Sequence, residues 1–129
     1  KYNIKKHLID FLNANKMEWI AIQGECISPK VQGNKYKVSE PDLYVFNVIL
    51  PHGRMDSLTA QWLINKWGMK FVPIIGKQVL PKTVDEMLKL AHGESALGNT
   101  IREGLVCRTS DGKLSFKAVD PLFLIEYND

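Results

Sequence analysis

Two short stretches late in the chain carry the residue types most able to do chemistry. They are Glu103-Gly104-Leu105-Val106-Cys107-Arg108 and, after a turn, Leu114-Ser115-Phe116-Lys117-Ala118-Val119. Thr109-Ser110-Asp111-Gly112 lies between them, and its Asp-Gly pair predicts a hairpin, because glycine supplies the positive φ a tight turn needs. Strand alternation sends Glu103, Leu105 and Cys107 to one face and Gly104, Val106 and Arg108 to the other, while Ser115 and Lys117 share a face. One carboxylate, one guanidinium and one ammonium on a single hairpin form a set suited to a metal-bound polyphosphate. The carboxylate takes the hard cation, and the two basic groups face the phosphate oxygens.

The first of these stretches resembles the fourth motif of the covalent nucleotidyltransferases, the superfamily of ATP-dependent ligases and mRNA capping enzymes. That motif reads Glu-Gly-(apolar)-Val-x-Lys/Arg, and the lysine-bearing strand that follows resembles the fifth. Upstream, Trp19-Ile20-Ala21-Ile22-Gln23-Gly24-Glu25 ends an apolar run in Gly-Glu. Ile27-Ser28-Pro29-Lys30-Val31-Gln32-Gly33-Asn34 and Leu43-Tyr44-Val45-Phe46-Asn47-Val48 come next. This order is similar to the Gly-Glu…Gln-x-Asn tract and third motif of RNA ligases in particular. The tail Asp120-Pro121-Leu122-Phe123-Leu124 most resembles the group typified by a Deinococcus enzyme, in which the ligase domain follows a separate N-terminal module.

The resemblance implies a role for each matching position. Glu103 would hold a divalent metal, Mg²⁺ or Mn²⁺, and Lys117 would contact the α-phosphate of ATP. Glu25 would bind the ribose hydroxyls of AMP, an acceptor suited to two O–H donors. Phe46 would stack on adenine, with Tyr44 on the same face as a rival. Arg108 divides between a phosphate contact and a structural ion pair, and Gln32 and Asn34 between RNA binding and bracing of their loop. Asn47 departs from the Phe-Asp frequent in the family at this point. Each residue also has an ordinary structural reading: a surface glutamate, a snorkelling lysine or a core phenylalanine.

The superfamily's first motif, Lys-x-(Asp/His)-Gly, supplies the lysine that attacks ATP, and it occurs nowhere in these 129 residues. Residues 1–129 are therefore expected to form the C-terminal portion of a single nucleotidyltransferase domain. The preceding part of the same polypeptide would carry the nucleophile, and the piece alone would be inactive and prone to self-association through apolar surface. The implied activity is that of an ATP-dependent RNA ligase acting in RNA repair on 5′-phosphate and 3′-hydroxyl ends. A DNA ligase, a capping nucleotidyltransferase and a non-catalytic nucleotide- or RNA-binding module are the alternatives.

Composition agrees with these readings without selecting among them. The chain is 45% hydrophobic with a net charge of +3, ordinary for a globular fold and permissive of nucleic acid. Cys26 and Cys107 sit in apolar runs and read as buried thiols, and no CxxC or Cys/His metal spacing occurs. His7, His52 and His92 read as exposed side chains. Trp62 and Trp67 read as core or interface residues, and the scattered lysines from Lys30 to Lys82 as a solvated face or the border of an RNA path. With no run approaching 18 apolar residues, neither a membrane partner nor a span is expected, and a cytoplasmic setting follows.

The elements that must position these groups are legible in outline. Apolar spacing predicts a helix over 2–14, a buried strand over 17–24 and a loop over 28–41. A strand follows over 43–48, then a helix capped by Ser57 over 58–67 and a strand over 70–75. Thr83-Val84-Asp85-Glu86 is a capping box opening a helix to 92, and Asp120-Pro121 opens a terminal helix after the hairpin. Strands and helices mix without βαβ regularity. The expected class is therefore α+β, with largely antiparallel sheets and flanking helices, as in the ATP-grasp-like adenylation domain of ligases.

Overall fold

The computed structural model describes residues 2–30, 39–97 and 100–127. The described elements run α1 (Ile4–Asn15), β1 (Ala21–Ile27), β2 (Asp42–Leu50), β3 (Gly53–Arg54), α2 (Ser57–Lys66), β4 (Lys70–Phe71), α3 (Val84–Ala91), β5 (Gly104–Arg108), β6 (Ser115–Val119) and α4 (Pro121–Tyr127). This is an α+β fold in which β2 pairs antiparallel with β3 and, over two residues, parallel with β4, while β5 and β6 form a separate antiparallel pair. Chain contacts divide it into two compact units, Lys1–Cys26 with Asp42–Val72 and Ile27–Pro41 with Pro73–Asp129.

The first unit is built on β2, which pairs with β1, β3 and β4 in one four-stranded sheet. Helix α2 packs against β2 and β4. It buries Ala60, Leu63 and Ile64, while Val45, Val48, Leu50 and Phe71 are the buried residues of the strands. Complete burial of Ile64 contributes roughly 2–3 kcal/mol. Helix α1 joins through His7 and Phe11, one turn apart, whose rings stack on and abut Trp67 at 5.4 and 6.1 Å. Among the described residues strand β1 lies at the edge of that sheet, exposed from Gln23 to Cys26.

In the second unit, β5 and β6 form the expected hairpin, paired from Gly104↔Val119 to Arg108↔Ser115. Gly112 takes φ 73 in the turn, as the Asp-Gly signal requires. Leu105, Cys107 and Ala118 pack beneath Met87, Leu90 and Ala91 of α3. Thr83 caps α3 by accepting from Glu86 N–H at 3.2 Å, and Glu86 returns the bond to the Lys82 N–H rather than to Thr83. The box therefore closes one residue earlier than its sequence pattern implies.

Several local expectations are corrected. Asp56, not Ser57, caps α2, through a bond from Thr59 N–H. The strand expected over 70–75 is only Lys70–Phe71, because its hydrogen-bonding partner β2 engages it at Tyr44 and Val45 alone. The strand expected over 17–24 begins at Ala21 and runs on to Ile27. Cys26 is an exposed free thiol and Cys107 a half-buried one. Trp62 is 62% exposed with Lys66 over its ring, so it is no core residue.

Candidate functional site

In the second unit the hairpin carries its chemistry on one face. The register sets Val106 opposite Lys117 and Arg108 opposite Ser115, so Lys117 and Arg108 share the face turned away from α3. Regular alternation would leave Glu103 on the other face, with Leu105. Instead the Glu103 carboxylate pairs with the Lys117 ammonium. Glu103 precedes the first paired residue of the strand, Gly104, and that glycine is pinched. A Cβ built there would lie 1.9 Å from the Ala118 carbonyl oxygen and 2.9 Å from Val119 Cα, so the backbone of β5 enters the ladder tight against β6. Only a residue without a side chain allows that approach.

The backbone holds Glu103 as well. Its carbonyl accepts from Asp120 N–H at 2.7 Å. The Asp120 carboxylate, 2% exposed, accepts from His92 Nδ1 at 2.7 Å and from Leu122 N–H at 3.0 Å. His92 is thus engaged through one ring nitrogen, and His7 is stacked on Trp67. His92 is nevertheless exposed, as is His52, in line with the sequence reading, whereas His7 is half-buried. At the turn, the Thr109 hydroxyl and Lys113 N–H hold the Asp111 carboxyl below the ordinary carboxylate range.

In the first unit Glu25 is exposed on β1 and Phe46 is half-buried on the neighbouring β2. The glycine beside this second glutamate is also pinched. A Cβ on Gly24 would meet the Tyr44 carbonyl oxygen at 2.7 Å and Val45 Cα at 3.1 Å. Each candidate glutamate thus adjoins a glycine where two strands come unusually close. Lys70 Nζ sits 5.5 Å from the Tyr44 ring centroid and 2.5 Å from Asp42, so a cation already covers the ring that rivals Phe46. Burial pushes the Asp42 carboxyl up, but bonds from Lys70, the Tyr2 hydroxyl and Leu43 N–H outweigh it and leave it at about 2. The Asp42 bond raises the Lys70 ammonium in turn. Asn47 donates to Gln23 Oε1 at 2.8 Å, and its own Oδ1 is buried without a partner among the described residues. Gln32 and Asn34 lie outside the described residues.

The RNA ligase family matches residues 1–119. The chain belongs to that family. The RNA ligase of Naegleria gruberi solved with PPi is 31% identical and superposes with a TM-score of 0.82, the match covering 97% of this chain and 39% of that one. A single-residue variant of it with ATP and Mn gives 31% identity and a TM-score of 0.86, covering 99% and 39%. Another, with AMP and Mn, gives 31% and 0.82, covering 97% and 39%. The chain thus spans about two-fifths of the length of the structures it matches. No curated protein matches it. This chain shares their α+β fold.

The donor set bears on the metal question. Among the described residues no group of three or more His, Cys, Asp or Glu side chains converges as ligands. The half-exposed Glu103 carboxylate offers hard oxygens, which fits an Mg²⁺ or Mn²⁺ that draws its other ligands from water and phosphate. No described helix is long and apolar enough to cross a membrane.

Proposed function

We propose that this chain is the C-terminal part of the nucleotidyltransferase domain of an ATP-dependent RNA ligase. It would seal 5′-phosphate and 3′-hydroxyl RNA ends in RNA repair. The complete enzyme transfers AMP from ATP to a lysine of the preceding segment with release of pyrophosphate, passes that AMP to the RNA 5′-phosphate, and joins the 3′-hydroxyl as AMP leaves. This chain lacks the attacking lysine and by itself turns nothing over. The observation that carries the reading is the Glu103–Lys117 pair on a hairpin pinched at Gly104, in a chain matched by the RNA ligase family over residues 1–119.

The roles are those the resemblance implies, and the shared face of Lys117 and Arg108 supports the phosphate contact. Lys117 and Arg108, on one face, oppose the charge on the phosphate in transfer. Glu103 would hold the divalent cation, which when bound neutralises phosphate oxygens and orients them. Glu25 takes the ribose hydroxyls and Phe46 the adenine ring, while Gln32 and Asn34 contact RNA. In the complete enzyme, Glu103→Ala should cut labelling by radioactive ATP by orders of magnitude, and normal labelling would reject the role. Nicked RNA, nicked DNA and GTP labelling, run side by side, test the substrate: sealing of DNA or labelling by GTP in place of ATP contradicts the RNA ligase reading.

A further inference from the structure

Arg102 is the residue next to Glu103, and it belongs to no motif read from the sequence. Its guanidinium nevertheless gathers the C-terminal end of α3. Nε donates to the Ala91 carbonyl at 2.8 Å, and Nη2 donates to those of Leu90 and His92 at 2.6 and 3.0 Å. These are carbonyls that a helix end leaves without intrahelical donors, and the positive charge suits the negative pole of the helix. The fork lies flat over Gly93, where a Cβ would come within 3.2 Å of Cζ, and Arg102 N–H donates to the Gly93 carbonyl at 2.8 Å. Main chain and side chain of one residue thus fasten the start of β5 to α3.

A second fastening reaches Glu103 from the other side. His92, whose carbonyl Arg102 holds, bonds the buried Asp120 carboxylate through Nδ1, and Asp120 N–H holds the Glu103 carbonyl. The circuit Arg102–His92–Asp120–Glu103 closes on itself. Gly104 completes the confinement by its approach to Ala118. The backbone of Glu103 is fixed before it, at it and after it, and only the side-chain torsions remain to aim the carboxylate at Lys117.

We propose that Arg102 is a positioning residue for Glu103, setting the carboxylate geometry on which divalent-metal binding depends. The inference rests on the reading of Glu103 given above. Lysine would keep the charge but not the fork that spans three carbonyls, and glutamine would lose both.

The test uses the complete ligase with Arg102→Lys, Arg102→Gln and Glu103→Ala in parallel. Near-UV circular dichroism establishes folding, EPR titration of Mn²⁺ in the presence of AMP reads metal affinity, and single-turnover ATP labelling reads transfer. Mn²⁺ affinity should weaken about tenfold in Arg102→Lys and up to about a hundredfold in Arg102→Gln, with the KM for ATP within about twofold of wild type. Should Arg102→Gln fail to fold, Arg102→Lys decides. A folded Arg102 variant with wild-type Mn²⁺ affinity overturns the proposal, as does parallel loss of ATP affinity and stability with Mn²⁺ binding unchanged. If Glu103→Ala binds Mn²⁺ normally, the role of Glu103 itself is wrong. If only the Arg102 variants behave as wild type, that role stands and the positioning argument alone fails.

Discussion

Replacing Gly104 by alanine tests the geometry on which the hairpin depends. The added methyl would lie 1.9 Å from the Ala118 carbonyl oxygen, about 1.5 Å inside the 3.4 Å at which ordinary contact begins. The obstruction is backbone, not the end of a flexible side chain, so relief requires β6 to move. That motion opens the Gly104↔Val119 end of the ladder and strains the Asp120 N–H bond to Glu103. Overpacking of this kind costs about 1–3 kcal/mol, and a weakened ladder bond adds roughly 1 kcal/mol. A total near 3 kcal/mol lowers Tm by about 10–15 °C in a chain of this size. Differential scanning calorimetry of Gly104→Ala against Val106→Ala, whose side chain is 60% exposed, measures the difference. The variant should also lose the Glu103–Lys117 pair, because Lys117 is the neighbour of the displaced Ala118. A melting point within about 2 °C of wild type would refute the steric argument, since no backbone clash of that depth is absorbed for so little.

The remaining predictions address separate features. Asp42, held at about 2 against an ordinary 3.8, contributes stability that is complete above pH 3.8 and is lost as pH falls toward 2. Lys70→Ala should move the NMR titration of Asp42 upward, and an unmoved midpoint would deny Lys70 that role. Thr83→Ala removes the α3 cap and should cost about 1 kcal/mol in urea unfolding, whereas Ser57→Ala at the neighbouring helix should cost far less. In the complete enzyme, Phe46→Leu should retain more ATP use than Phe46→Ala, because leucine keeps part of the apolar contact. Equal activities would argue against stacking. Val79, Ile125 and Leu114 are 90, 76 and 69% exposed, so the 129-residue chain should bind hydrophobic dye and self-associate. A dye-silent monomer in sedimentation would contradict that.

Local signals carried much of this fold. The Asp-Gly turn, the alternation after Gly104 and the Thr83 cap each depend on residues within a few positions of one another, and each appears where the chain predicts it. What escaped depends on distance. His92 and Asp120 are 28 residues apart, and Arg102 finds its carbonyls 10 to 12 residues upstream, where backbone acceptors leave no trace in residue types. Alternation sends Glu103 to the face of Leu105, yet its carboxylate pairs with Lys117, because Glu103 lies before the first paired residue of β5 and the ladder does not set its direction. The apolar run around Cys26 predicts burial, yet among the described residues β1 has a partner on one side only and Gln23 to Cys26 are exposed. The motif glutamates were legible as letters. Their glycine neighbours explained themselves only once the partner strands were in view.

The pairing of Glu103 with Lys117 has a further consequence for how a nucleotide would be received. On the proposed reading, an incoming phosphate claims the ammonium while its accompanying cation claims the carboxylate. The two newcomers arrive as a matched couple and divorce an existing one. Opposite charges are thus traded like for like, and neither side chain need stand bare in the exchange. Selectivity for a metal-laden nucleotide over a naked one would then begin in the resting protein, before any bond is made or broken.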